Sequence, residues 1–159
     1  MFKNVSSKQK GSVIENRAVE LITLGSDGQL TCYLPQSDDD GIDIIVNKKG
    51  HFQSLYLQVK SRFALNGNQF IQNVGISTFS SHESFYLLFF YFNTRTLEIE
   101  CVWLIPSMEF EQLAYLKKAG ATYKEFYRFS ANPYSDNNQW SKFRYDKTAL
   151  GNKLLSLLP

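Results

Sequence analysis

The sequence predicts an α/β fold with a mixed central sheet flanked by helices, and three observations support that prediction. Apolar residues recur at helical spacing near the start of the chain, β-branched and aromatic runs fill its middle, and amphipathic patterns close it. The predicted order is a helix, three strands, a helix, two strands and two helices, without a repeat or a linker. We therefore expect residues 1–159 to form a single domain.

The first half of the chain predicts one helix followed by three strands. Ser12 and Glu15 have the spacing of a capping box, which begins the helix at Ser12, and Gly25 ends the helical pattern. The segment 47–50 has the composition of a hairpin turn between the second and third strands. The expected elements are a helix over 12–24 and strands over 30–34, 42–46 and 52–60.

The second half of the chain predicts two further strands and three helices. The run of apolar and aromatic residues at 85–92 is typical of a buried strand, and Pro106 ends the strand that follows. Gly120 is the expected C-terminal cap of the next helix. The expected elements are a short helix near 77–83, strands over 85–92 and 98–105, and helices over 107–119 and 147–158.

The composition argues against a disordered chain and against a membrane protein. Hydrophobic residues make up 43% of the chain and charged residues 20%, as in ordinary folded proteins. The apolar run 85–92 is much shorter than the roughly 18 residues that a membrane span requires. The polar N-terminus lacks the apolar core of a signal peptide, and Cys32 and Cys101 are expected to be buried free thiols. We therefore expect a cytoplasmic protein that does not bind a membrane.

Charge is unevenly distributed along the chain. From Lys117 to the C-terminus there are eight basic residues and three acidic ones, whereas the first 45 residues hold seven acids and four bases. Such a basic, aromatic-rich region suits a polyanion, although surface charge is also uneven in many proteins without that function. The cations expected to contact DNA phosphates are Lys117, Lys118, Lys124, Arg128, Lys142 and Arg144.

A carboxylate, an amide and an ammonium are predicted to share one face of the 42–60 hairpin. Side chains alternate between the two faces of a strand, so Gln58 and Lys60 lie on one face and Val59 on the other. A hairpin loop of two or four residues would put Asp43 on the face of Gln58 and Lys60, and a loop of odd length would not.

Phosphodiester hydrolysis requires a group of this kind. The Asp43 carboxylate would hold Mg²⁺ or Mn²⁺, and the backbone carbonyl of Val59 would offer a further oxygen ligand. A bound cation polarises the phosphate and lowers the pKa of a bound water. Lys60 would orient or deprotonate the nucleophile and offset the charge of the transition state.

The motif that these residues form resembles a known family. Asp40-Gly41-Ile42-Asp43, followed by Gln58-Val59-Lys60, is similar to the core motif of PD-(D/E)xK nucleases. It is more closely similar to the Mrr-like restriction endonuclease branch and related bacterial domains, in which glutamine replaces the second acid. The resemblance implies a restriction-endonuclease-like αβββαβ core over about 11–105, and residues 106–159 are then a basic and helical extension.

The same resemblance implies a metal-dependent endonuclease that hydrolyses DNA, of a restriction, defence or mobile-element kind. A glutamate on the first helix often completes the metal site in this superfamily, and Glu15 occupies the matching place. The implied catalytic residues are Asp43, Gln58, Lys60 and Glu15. The implied metal ligands are Asp43, Gln58, Glu15 and the carbonyl of Val59.

Each of these residues also has a structural explanation. Asp43 is a common residue type at the start of a strand, Lys60 could protect an edge strand from aggregation, and the capping box alone accounts for Glu15. Gln58 could be a half-exposed strand residue. Asp38, Asp39 and Asp40 are expected to form a solvated turn.

Two other functions remain open at this stage. Gln58 favours a catalytically inactive module that keeps the nuclease fold for DNA binding or assembly, and retention of Asp43 and Lys60 argues against it. The aromatic strand 85–92 favours an enzyme resembling Holliday-junction resolvases, which would bind branched DNA as a homodimer.

Overall fold

A computed structural model of the chain describes residues 2–37 and 39–159, so Asp38 of the acidic turn lies outside the described residues. Within these ranges no helix combines the length and the apolarity that crossing a membrane requires. The α-helices are α1 (Ser7–Gly25), α2 (Ser107–Leu113) and α3 (Leu150–Ser156). The strands are β1 (Leu30–Tyr33), β2 (Ile44–Lys48), β3 (Ser54–Arg62), β4 (Phe70–Gly75), β5 (Phe85–Asn93), β6 (Glu98–Pro106), β7 (Tyr115–Lys117), β8 (Phe126–Ala131) and β9 (Arg144–Tyr145).

The strands form a larger mixed sheet and a smaller antiparallel one. The larger sheet has six strands in the order β1-β2-β3-β5-β6-β9, and the smaller has three in the order β4-β8-β7. Only the β3–β5 pair is parallel among the strand pairs of the described residues. The predicted α/β class with a mixed central sheet is confirmed, but the second sheet was not predicted.

The larger sheet is covered by helices on one face and by the smaller sheet on the other. Ile14, Ala18 and Ile22 of α1 pack on the first face together with α3. The second face buries an aromatic cluster against the smaller sheet, with ring centroids of Phe89 and Phe129 4.9 Å apart. Burying one such ring contributes about 1.5–3 kcal/mol, so this cluster holds the two sheets together.

Helix α1 begins earlier than the sequence predicted. Ser6 is its N-cap, and the capping box is formed by Ser6 and Gln9, with Gln9 N donating to Ser6 Oγ at 3.1 Å. The prediction of a helix start at Ser12 was wrong because residues 8–10, lysine, glutamine and lysine, are good helix formers that extend the helix upstream. Glu15 therefore lies in the middle of α1, half-buried, and capping does not explain it.

The β2–β3 hairpin is longer than predicted. Asn47 pairs with Ser54, so the residues between them form a loop of six, not of two or four. The number of loop residues is still even, as the site prediction required. The loop is longer because β3 begins at Ser54 and Lys48 of β2 pairs only with Leu30 of β1.

Other expected elements differ from the structure. The helix predicted over 107–119 ends at Leu113, because the next residues pair with β8 as strand β7. The helix predicted near 77–83 is reduced to one 3-10 turn at Ile76–Thr78. Strands β4 and β8 were missed because each pairs with a partner more than 50 residues away, which a local pattern does not reveal.

Candidate active site

The side chains at the centre of the candidate site lie on strand β3, and they become more exposed along the strand. Gln58, Lys60 and Arg62 alternate onto one face, and Gln58 pairs with the buried Leu87 of β5 on the side of the smaller sheet. Gln58 is 2% exposed, Lys60 is half-buried and Arg62 is exposed. The strand therefore presents a row of polar groups that emerges from between the two sheets.

Asp43 is fixed against β3 on both sides of Gln58. Its backbone N donates to the carbonyl of Leu57 at 2.8 Å, and its carboxylate Oδ2 accepts a hydrogen bond from Val59 N at 2.7 Å. Ile44 pairs with Leu57, and Asp43 lies just before it, so the two bonds of Asp43 reach β3 on either side of Gln58. The backbone of β3 thus orients this carboxylate.

The amide of Gln58 has a defined orientation. Its Nε2 donates to the backbone carbonyl of Thr78 at 3.3 Å. A carbonyl oxygen only accepts, so the nitrogen must face Thr78 and the oxygen must face away from it. Gln58 Oε1 is buried and accepts no hydrogen bond from any of the described residues. A buried acceptor that stays unsatisfied costs about 1–3 kcal/mol.

Gly41 packs directly on this amide. Its φ is +78°, and a Cβ there would lie 2.7 Å from Gln58 Nε2 and closer still to the Thr78 carbonyl oxygen. Only glycine fits this left-handed, crowded position. Sequence reasoning missed both Gly41 and Thr78 as positioning residues. The signal for Gly41 was its place between Asp40 and Asp43 in the motif.

Lys60 opens into a cleft of about 450 Å³ between the first turns of α1 and the end of β3. None of the ion pairs among the described residues involves Lys60. Gly11 of α1 lines the same cleft, and Glu15 follows it by one helical turn. Residues four apart on a helix lie on one side, with Cβ atoms about 5–6 Å apart. Glu15 is therefore on the side of α1 that borders the cleft.

Two of the predicted DNA-contacting cations lie far from Lys60. Lys60 and Arg144 belong to one row of paired residues that crosses the larger sheet. Three inter-strand spacings separate them, a distance of about 14 Å. Arg144 donates to the carbonyls of Pro133 and Ser135 and pairs with Asp136, while Lys142 pairs with Glu109. The paired residues of the row are Lys60, Phe89, Trp103 and Arg144.

The remaining predicted cations lie on the smaller sheet. Lys117 belongs to β7 and Arg128 to β8, and Lys118 pairs with Glu125 at 3.8 Å between exposed side chains. Lys124 is exposed in the loop before β8. The structure therefore divides the six predicted cations between two regions, and Arg128 is the one that shares a cleft with a residue of β3.

The two cysteines are distant from this chemistry. Cys101 is buried on β6 and Cys32 is half-buried on β1, both as free thiols. Burial raises the pKa of Cys101 to about 12 and that of Cys32 to about 11. Burial therefore favours the protonated form of both thiols, which is the less nucleophilic form.

A first prediction concerns the fit of Gly41 over the Gln58 amide. Gly41→Ala would drive a methyl group into Thr78 and Gln58, whereas Gly50→Ala is a matched control with φ +79° and nothing within 4 Å. Left-handed strain of about 1–2 kcal/mol applies to both, and Gly41→Ala is expected to lose about 1–3 kcal/mol more. Urea unfolding measures the difference, and equal losses would contradict the packing described.

Comparisons with known proteins support the fold. No protein-family model matches the chain, and no curated protein matches it significantly. Among solved structures it is similar to a bacterial homing endonuclease, I-Ssp6803I, with a TM-score of 0.59 and 14% sequence identity. The match covers 96% of this chain and 91% of that one. At this identity the likeness concerns the fold alone, an α/β fold with a restriction-endonuclease-like core.

Proposed function

We propose that the protein is a metal-dependent endonuclease of the PD-(D/E)xK type, in its D…QxK variant, which hydrolyses DNA phosphodiester bonds. The observation that carries this proposal is the buried Oε1 of Gln58, which has no partner among the described residues and lies on β3 between the two bonds of Asp43. A polar acceptor is retained at such a cost when a ligand satisfies it. Mg²⁺ or Mn²⁺ is the ligand that we propose.

The donor set fits a hard cation. Asp43 and Glu15 offer carboxylate oxygens, Gln58 an amide oxygen and Val59 a backbone carbonyl, and Mg²⁺ prefers oxygen ligands while keeping several waters. Among residues 2–37 and 39–159 no group of three or more His, Cys, Asp or Glu side chains could hold a metal. The proposed set contains only two carboxylates, so it is a different kind of site from one built of three such residues.

Each residue of the proposed site has a distinct task. The Val59 N–H orients the Asp43 carboxylate, and the Thr78 carbonyl orients the Gln58 amide. The half-buried Lys60 ammonium is not neutralised by an ion pair with any described residue, so its charge is available to a phosphate oxygen or to the attacking water. The cation, when bound, would supply Lewis-acid polarisation of the phosphate.

A second function has one observation in its favour. Gln58 is neutral, and an amide oxygen binds a hard cation more weakly than a carboxylate does. A nuclease-fold module that binds DNA without cutting it would tolerate such a site. The oriented Asp43 favours the enzyme, and so does a Lys60 that forms no ion pair with a described residue, since binding alone requires neither.

A second prediction tests the activity itself. The purified protein is expected to cut DNA with Mg²⁺ or Mn²⁺, in an assay of linear duplex, branched and single-stranded substrates. Lys60→Ala should lower the cleavage rate by about 10²–10⁴-fold while leaving folding and most DNA binding intact. Lys49→Ala, in the exposed β2–β3 loop, is the control and should cut like wild type. A Lys60→Ala protein that cuts normally would remove Lys60 from the site.

A third prediction separates the enzyme from the inactive module through Gln58. Gln58→Glu would place a second carboxylate near Asp43, so without metal the fold should lose stability through repulsion and burial of charge. Added Mn²⁺ should then raise its melting temperature more than it raises that of wild type. Gln53→Glu, in the exposed loop before β3, is the control and should show neither effect. If neither protein responds to Mn²⁺ and neither cuts DNA, the inactive module is the better account.

A further inference from the structure

Arg62 and Arg128 each make one side-chain hydrogen bond, through Nε, that leaves the two Nη atoms without a bond to a described residue. Arg62 donates through Nε to the carbonyl of Ile71 at 2.9 Å, and Arg128 donates through Nε to Asn73 Oδ1 at 3.1 Å. Both are exposed, and their Nη1 and Nη2 atoms make no hydrogen bond to a described residue. Such a fork is pre-oriented for two hydrogen bonds to one anionic group.

Arg17 and Arg144 also make hydrogen bonds, but through both of their Nη atoms. Arg17 donates through Nη1 and Nη2 to the Leu97 carbonyl and to Glu98, and Arg144 uses the same atoms on backbone carbonyls and Asp136. Their forks are therefore occupied by the protein itself. Arg62 and Arg128 are tethered so that their forks remain available.

Both arginines are anchored on strand β4. Their anchors, Ile71 and Asn73, are two residues apart on that strand, which sets them roughly 7 Å apart. The same two arginines line one cleft of about 310 Å³. The spacing is comparable with that of neighbouring phosphates on one nucleic-acid strand, and two phosphates are the anions that such a pair would match.

This cleft continues to the candidate active site. Arg62 also lines the cleft that contains Lys60, and Lys10 of α1 lies there with its ammonium 5.3 Å from the centre of the Phe63 ring. Four cations line the two clefts, and no acidic residue lines either of them. The cations in order along the path are Lys10, Lys60, Arg62 and Arg128.

We infer that this path is a phosphate-binding track, in which Arg62 and Arg128 each hold a backbone phosphate of the DNA strand whose scissile bond lies at Lys60. The inference rests on the proposed nuclease function and extends it. It assigns the path that the DNA takes from the site, which runs along β3 towards β4 and β8. It also locates the main DNA contacts away from Lys142 and Arg144.

The test measures DNA binding without metal, so that cleavage plays no part. Fluorescence anisotropy of a labelled duplex over a range of salt concentrations compares wild type with Arg62→Gln, Arg128→Gln and the double variant. Each single change should reduce the slope of log affinity against log salt by about 1, and the double change by about 2. At low salt the double variant should bind about tenfold more weakly or worse.

Two control variants remove the same charge elsewhere. The controls are Arg95→Gln and Lys142→Gln. Arg95 lies in the exposed turn between β5 and β6, and Lys142 lies at the far edge of the larger sheet. Both should keep the wild-type slope. Arg62→Lys keeps the charge without the fork, and it should bind more weakly than wild type while keeping most of the salt slope. Thermal melts establish that each variant is folded.

The outcomes distinguish the track from the nuclease function. The track is wrong if the double variant keeps the wild-type DNA affinity and salt slope, or if Lys142→Gln loses more affinity than the double variant does. Either result would leave the proposed nuclease function standing. Weakened binding in the double variant, combined with no cleavage by wild type in Mg²⁺ or Mn²⁺, would support the track and overturn the enzyme. A wild-type protein that does not bind DNA would overturn both.

Discussion

The hydrogen bond from the Gln58 amide to the Thr78 carbonyl controls the chemistry available on β3. It uses the amide nitrogen and therefore turns Oε1 into a buried space where no described residue donates to it. Gly41 closes over this bond in a conformation that a side chain would disrupt. Asp43 follows two residues later and binds the β3 backbone on both sides of Gln58. Two of the four proposed oxygen donors, those of Gln58 and Asp43, are thus oriented by hydrogen bonds to the backbone.

The graded burial along β3 connects that site to the protein surface. Gln58 is buried between the sheets, Lys60 is half-buried and Arg62 is exposed, although all three occupy one face of a single strand. Gly41 and the Thr78 carbonyl contact the Gln58 amide, whereas Lys60 and Arg62 line a cleft at the end of the strand. Strand β4 of the smaller sheet anchors Arg62 and Arg128. The smaller sheet therefore positions the guanidinium groups at the exposed end of this gradient.

Local patterns predicted the elements that form this site, but not those that surround it. The alternation of Gln58 and Lys60 follows from strand geometry alone, and the hairpin pattern was enough to bring Asp43 next to β3. The smaller sheet escaped prediction because its pairing joins distant residues, and its inward residues include the polar Gln72. The charge count along the C-terminal third grouped Arg144 with Arg128, since a linear count does not show that Arg144 is bonded to neighbouring carbonyls.

The central claim is that a divalent cation satisfies the buried oxygen of Gln58. Crystals grown with Mn²⁺ and measured at a wavelength where manganese scatters anomalously test it directly. The account predicts an anomalous peak at coordination distance from both Gln58 Oε1 and a carboxylate oxygen of Asp43. A peak elsewhere, or none while a water alone binds Oε1, would contradict it.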